Sequence, residues 1–285
     1  MSRRTHHVES PVLRERHWRL VDTGFASGPR NMAIDEAILL AHSRGEVPPT
    51  LRFYGWEPPA VSIGYFQRMA GEVDLEACRR LGYGWVRRPT GGRAIFHHRE
   101  LTYSVVIREE LLPGGVIETY RFLAAGLLAG LRRLGAPAEM AGGEKDPRAL
   151  GGEASPACFD TPSAYELVVG GRKIVGSAQT RRAGTILQHG SILLDLDVDL
   201  TFTLLKVPPE RREAAKAHLR SRATSLREAL GREVSWAEAR DAFIAGFAEA
   251  LGITLTPGEL TPAEVAEAER LEAEKYGHDR WNLRR

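Results

Sequence analysis

Apolar positions along the chain follow a helical period near the start, break into short β-like runs through the middle, and turn helical again towards the end. In SGPRNMAIDEAILLAHSRG, residues 27–45, Ile34, Ala37, Ile38 and Ala41 fall on one stripe, the spacing of an amphipathic helix. Ser27 or Gly28 can cap that helix, and Pro29 suits its first turn, where its missing N–H costs nothing. Two β-like runs follow, TLRFYGW (50–56) and AVSIGYF (60–66), with the turn EPP between them. VDLEACRRLG (73–82) reads as a short helix stopped by Gly82. The stretch 84–107, GWVRRPTGGRAIFHHRELTYSVVI, reads as strand, glycine turn, strand, polar turn, strand. Residues 116–134 read as another amphipathic helix.

Residues 137–157 lose this periodicity and are rich in Gly, Pro and Ala, which marks a long loop with Cys158 at its end. AYELVV and RKIVGSAQTRR are then joined by Gly170 and Gly171, the pair that a two-residue hairpin favours, and GTILQHGSILLDLD supplies a further strand. From 198 to 275 the pattern is helical. Strands over 50–195 with helices around and after them predict an α+β fold, a mixed or antiparallel sheet flanked by helices. The expected organisation is a loose arm over 1–15 and one domain over 16–285. With no strand–GxGxxG–helix unit and no Walker loop, nucleotide-binding α/β folds lose ground.

Composition narrows the class. A net charge of +2, with Arg interspersed among Glu and Asp, leaves no nucleic-acid footprint. No run of 18 apolar residues offers a membrane span, and MSRRTHHVES has charge but no apolar stretch behind it, so no secretory signal. The expected location is the cytoplasm. Two cysteines, Cys78 and Cys158, suggest neither a disulfide scaffold nor a zinc site, and no His has metal-ligand spacing, so no metal is expected. Cys78 reads as a small core residue. The chain has 34 Arg but only 5 Lys, which draws notice to Lys173: Lys shifts its pKa and acts as a compact point charge, as Arg does not.

Three stretches can carry chemistry. The Gly-Gly hairpin doubles the chain back, bringing the Lys173 strand beside the one leaving Cys158; an ammonium there would lower the thiol pKa from its usual ~8.5. By spacing alone, however, an ordinary loop cysteine and a surface lysine remain the plainer reading. In RRPTGGRA, Gly91 and Gly92 let backbone N–H groups approach a ligand, with Arg88 and Arg93 beside them, although a plain glycine turn explains the same residues. Alternation points His97 and His98 to opposite faces, and His189 reads as a hydrogen-bonded structural histidine able to assist a proton transfer.

RRPTGGRAIFHHRELTYSVV resembles the glycine motif of the lipoate–protein ligase, octanoyltransferase and biotin ligase superfamily, and GRKIVGSAQTRRAGTILQHGSIL resembles its lysine-bearing hairpin. CFDTPSAYELVVGGRKIVGSAQ, with a cysteine upstream of that hairpin, looks like the LipM-type octanoyltransferases in particular. NMAIDEAIL and the tail KYGHDRWNLRR look like that family too, so the resemblance runs from about residue 16 to the C-terminus. It implies a biotin/lipoate ligase-type catalytic domain, a central mixed sheet flanked by helices, and it reverses the plain readings above. The acyl-thioester cysteine falls on Cys158 and the lysine that lowers its pKa on Lys173. Substrate binding falls on Arg88, Gly91, Gly92, Arg93, Ala94, Gly176, Ser177 and His189.

The implied reaction moves octanoyl from octanoyl-acyl carrier protein to a lysine of the glycine cleavage H protein, with no cofactor. The alternatives are an amidotransferase from H protein to other lipoyl domains, an ATP-dependent lipoate-protein ligase and a non-catalytic carrier-binding protein. Adenylate-forming ligases usually have a third glycine where this chain has Arg93, and often an extra C-terminal domain; both departures count against ATP. His98 stands where many relatives have Asp. Tyr65, Phe96 and Val175 are expected as walls of an acyl pocket, and Arg87, Arg88, Arg181 and Arg182 as surface charges around its mouth that attract an acidic carrier.

Overall fold

A computed structural model describes residues 13–112, 114–141 and 166–284. Strand β1 (His17–Ala26) leads into helix α1 (Gly28–Ser43), whose cap is Ser27, the side chain accepting from the Arg30 N–H. The predicted stripe is buried, but so are Asn31, Asp35 and Glu36, so α1 is enclosed on more than its apolar face. β2 (Thr50–Trp56) and β3 (Ala60–Ile63) follow. The second is shorter than the run AVSIGYF suggests, because Gly64 packs under the glycine turn: a Cβ there would lie 2.0 Å from the Gly92 carbonyl oxygen. Short helices α2 (Met69–Glu72) and α3 (Leu75–Leu81) precede β4 (Gly84–Arg87), β5 (Ile95–His97) and β6 (Glu100–Arg108).

Helix α4 (Val116–Arg133) and β7 (Ala138–Met140) come before the described hairpin, β8 (Leu167–Val169) and β9 (Arg172–Arg182). Gly170 and Gly171 both take positive φ, 55° and 73°, as the two-residue turn requires. β10 (Thr185–Leu193) completes the central strands. The rest holds α5 (Val198–Leu204), α6 (Pro209–Arg222), α7 (Leu226–Leu230), α8 (Trp236–Leu251), α9 (Pro262–Leu271) and α10 (Asp279–Asn282). One four-residue strand, β11 (Thr254–Pro257), interrupts the helical run expected there.

The large sheet has the order β11-β1-β2-β6-β10-β9-β8-β7, parallel at β11/β1/β2 and antiparallel beyond. A small sheet, β4-β3-β5, lies apart from it. α4 and α8 cover one face of the large sheet over the main apolar core, which includes Phe53, Tyr103, Phe243 and Phe247. The helices touch through Gly130, where a Cβ would meet the Phe243 ring at 2.3 Å. α1 and α9 cover the other face, around Met32, Ile38, Tyr54 and Trp56. This is the predicted α+β architecture.

Candidate active site

Strand alternation builds the floor of a slot on the α1 side of the large sheet. Register pairs Tyr54 with Thr102, Thr102 with Ser191, and Ser191 with Gly176; one step along, His189 sits opposite Ala178 and Ser104. Residues two apart on a strand share a face, so these rows line one surface. Met32 of α1, with Ile95 and His97 of β5, closes the slot over that floor. The free space between these residues is only about 20 Å³, so the slot is nearly filled by its own lining. It crosses the strands from β9 to β2, three inter-strand steps, or about 14 Å at the usual spacing.

The polar groups around the slot are tied down. Asp35, fully buried, receives Arg52 at 2.6 Å, Ser104 at 2.8 Å and the Tyr54 hydroxyl at 3.0 Å. His189 Nδ1 lies 3.1 Å from Asp35 Oδ2, and its Nε2 lies 2.7 Å from the Thr90 hydroxyl on the glycine loop. Burial opposes ionisation of Asp35, but Arg52 and the donors around it hold its carboxyl below the usual range. Burial also holds His189 below the usual imidazole range, outweighing Asp35. A neutral ring donating from Nδ1 and accepting at Nε2 fits both contacts.

A second chain of contacts fixes the glycine loop. Arg88 donates to the Ser62 hydroxyl at 2.7 Å and to the Gly91 and Arg93 carbonyls at 3.0 Å each. Ser62 lies 2.5 Å from His97 Nε2, and His97 Nδ1 lies 2.7 Å from Glu100. His97 stacks on Trp56 with ring centroids 3.8 Å apart. In a trans peptide the N–H points opposite to its carbonyl, so the amides of Gly92 and Ala94 turn away from Arg88. Gly92 holds φ at +94°, a conformation that suits glycine.

Lys173 is buried at the start of β9, and its ammonium lies 3.0 Å from the Glu166 carboxylate, also buried. Cys158 lies outside the described residues. Cys78 is buried behind the small sheet, where desolvation first and Asp74 second push its thiol up to about 11. That agrees with the core reading of Cys78.

The structure brings Arg88, Gly176, Ser177 and His189 together at the slot. Ser177 contributes backbone only, since its hydroxyl contacts Tyr103 at 2.7 Å on the opposite face. Gly91 faces an outer groove, Arg93 lines a shallower one, and Ala94 is buried behind the small sheet. His97 faces the slot, while His98 turns back onto Phe96, as alternation predicted.

Two expectations about the surroundings, the pocket walls and the mouth charges, need correction. Phe96 and Val175 point into cores away from the slot, because Ile95 and Gly176 take the inward positions on those strands. Tyr65 lines the outer groove beside Phe66 and Trp281. Arg87 is not a mouth charge: it is fully buried and donates to six carbonyls, three in the turn 64–67 and three in the C-terminal tail. Arg88 is buried too, whereas Arg181 and Arg182 do line the outer groove beside Gly91, paired there with Glu109 and Glu36. The sequence reading missed Asp35, Arg52, Ser62, Glu100 and Glu166. For the first, a signal existed: an Asp-Glu pair inside an otherwise apolar helical stretch.

A mixed sheet bearing a closed slot, a glycine loop over it and a lysine-bearing hairpin at its edge together define the class: the chain belongs to the lipoyl protein ligase A/B catalytic-domain family, whose model matches residues 27–248. It is 68% identical over 273 residues to "Octanoyltransferase LipM" of Symbiobacterium thermophilum, covering 95% of this chain and 100% of the relative. It is 47% identical over 278 residues to the protein of that name from Bacillus subtilis (strain 168), covering 96% and 100%. Among solved structures, the bi-partite lipoate protein ligase of Thermoplasma acidophilum, described with its E2 lipoyl domain, superposes with a TM-score of 0.78 at 28% identity, over 95% of this chain and 98% of that one. No described helix is long and apolar enough to cross a membrane.

Proposed function

We propose that this chain, an octanoyltransferase of lipoate biosynthesis, takes octanoyl from octanoyl-acyl carrier protein and delivers it to a lysine of the glycine cleavage H protein, itself a lipoyl-domain protein, through a thioester on Cys158. In the first step the Cys158 thiolate attacks the carrier thioester carbonyl. A new C–S bond forms, the old one breaks, and the carrier leaves as its thiolate, which then takes a proton from solvent. In the second step the acceptor's neutral lysine amine attacks the enzyme thioester, an amide forms, the proton lost by the amine passes to solvent and the Cys158 thiolate departs. Exchange of one thioester for another costs little, and thioester to amide runs downhill, so the bond energy drives transfer without ATP. Splitting the reaction lets two proteins use one site in turn.

The observation that carries this reading is the slot. It is mostly apolar, closed over by Met32, Ile95 and His97, and begins at β9, the strand that bears Lys173. An acyl chain entering it has to part the lining side chains, and would lie with its carbonyl at the β9 end and its methyl end towards Tyr54 and Trp56. Lys173 favours the thiolate, with Glu166 holding its ammonium in place, and backbone amides of the glycine loop face the developing oxyanion.

Purified protein incubated with octanoyl-carrier and H protein, without ATP, tests the reaction. Octanoylated H protein is the expected product. Transfer only from octanoyl-H protein would identify an amidotransferase, dependence on ATP and free acid a ligase, and no transfer a binding protein.

A further inference from the structure

We propose that α6, with Lys206, Arg68 and Arg93 leading from it to the glycine loop, is the docking surface for the acidic protein that delivers the acyl group; this rests on the donor reading above. A surface helix of a compact protein normally hides an apolar stripe. Of the 14 residues of α6, only Leu219 is buried. The helix carries Arg211, Arg212, Lys216, Arg220 and Arg222 against Glu210 and Glu213, a net +3 that exceeds the +2 of the whole chain. Lys216 and Arg220 share one carboxylate, Asp199, at 2.9 and 3.3 Å, and Lys216 also reaches Glu213. Arg212 and Arg222 pair with none of the described residues.

Both ends of this helix lead to the site. Ahead of it, the Lys206 ammonium binds the Ala70 carbonyl on α2 at 2.9 Å. Arg68, just before α2, shares a shallow groove with Phe66 and with Arg93 of the glycine loop. Behind it, the Thr224 N–H donates to the carbonyl of Lys173 at 2.9 Å. An acidic body on this face complements its charge and is steered to it. The occupant is the donor, not the acceptor. No side chain of α6 lines the slot, and the helix is about 21 Å long. A thioester on a long flexible arm reaches in from there; a lysine on a folded acceptor has to bring its own body to the mouth.

The test compares wild type with Arg212→Glu/Arg222→Glu, using octanoyl-carrier protein and octanoyl-N-acetylcysteamine, a thioester without the protein. With the carrier at low salt, kcat/KM is expected to fall about tenfold or more, and the gap to narrow by ~0.15 M salt. Rates with the small thioester and the KM for the acceptor stay unchanged, and Arg212→Gln/Arg222→Gln falls part of the way. Unchanged carrier kinetics, equal loss with both donors, or a shift confined to the acceptor overturns the proposal. Wild-type protein that is acylated by neither donor contradicts the donor reading itself, and the docking proposal falls with it.

Discussion

Lys173 has a buried carboxylate beside it, and that changes what its replacement should do. In the proposed mechanism the ammonium would lower the Cys158 pKa below ~8.5, and the carboxylate of Glu166, 3.0 Å from it, would oppose that. Lys173→Met should therefore raise the pH midpoint of enzyme acylation towards or past ~8.5, and Glu166→Gln should lower it; each unit is about 1.4 kcal/mol. Because Lys173→Met strands a buried carboxylate, the double variant isolates the loss of the ammonium. Lys173→Arg keeps the charge on a wider planar group and should restore the midpoint better than the plateau rate. Midpoints that do not move in single-turnover acylation would separate Lys173 from the cysteine's chemistry. Met32 offers a second reading at this scale. Burying a methylene gives about 0.8 kcal/mol, so a closed end is needed to reject longer chains. Met32→Ala should shift preference towards decanoyl and Met32→Phe towards hexanoyl, measured as kcat/KM ratios; shifts in one direction only would point to damage rather than length.

At the scale of elements, α1 does two jobs, and only one was legible. Its apolar stripe and cap are local, so the pattern Ile34, Ala37, Ile38, Ala41 gave them away. The partners of Asp35 come from β2, β6 and β10, and no local pattern reports them. Arg52→Met leaves the Asp35 carboxylate buried without its cation, which should cost about 3–5 kcal/mol in denaturant unfolding; Arg52→Met with Asp35→Asn should recover part of it. Equal losses would mean the pair itself, not the stranded charge, matters. The hairpin was legible because Gly170–Gly171 is a local turn signal. β1 was not, since its register shifts between Asp22 and Phe25 blur the alternation, and β11 is a four-residue, largely exposed edge without an apolar face. Arg87 misled for the same reason as Asp35 hid: half its carbonyl partners lie 194–197 residues away.

Over the whole molecule, buried groups make stability depend on pH in two limbs. His189 and His42 are buried and neutral, His42 taking the Arg108 N–H at Nε2 and lying 2.8 Å from the Val47 carbonyl at Nδ1. Burial holds both below the usual ~6.5, so the unfolded chain binds their protons first. Stability is full above about 6.5 and falls as pH drops below it, by up to about 1.4 kcal/mol per pH unit for each histidine. Asp35, Glu36 and Glu264 are also held low, by their cations and hydrogen bonds against the cost of burial, and add a second loss below the ordinary carboxylate range. His42→Gln should flatten the first limb and leave the second, in unfolding measured from pH 7 to 3. The covalent route is the central claim, and one experiment reaches it directly. Protein mixed with octanoyl-carrier alone, without ATP or acceptor, is digested and its acylated peptide located by mass spectrometry. The account predicts one octanoyl group on Cys158, released by neutral hydroxylamine and passed to H protein when that is added. An adduct on Cys78, whose thiol is pushed up to about 11, or turnover with no adduct at all, would contradict it.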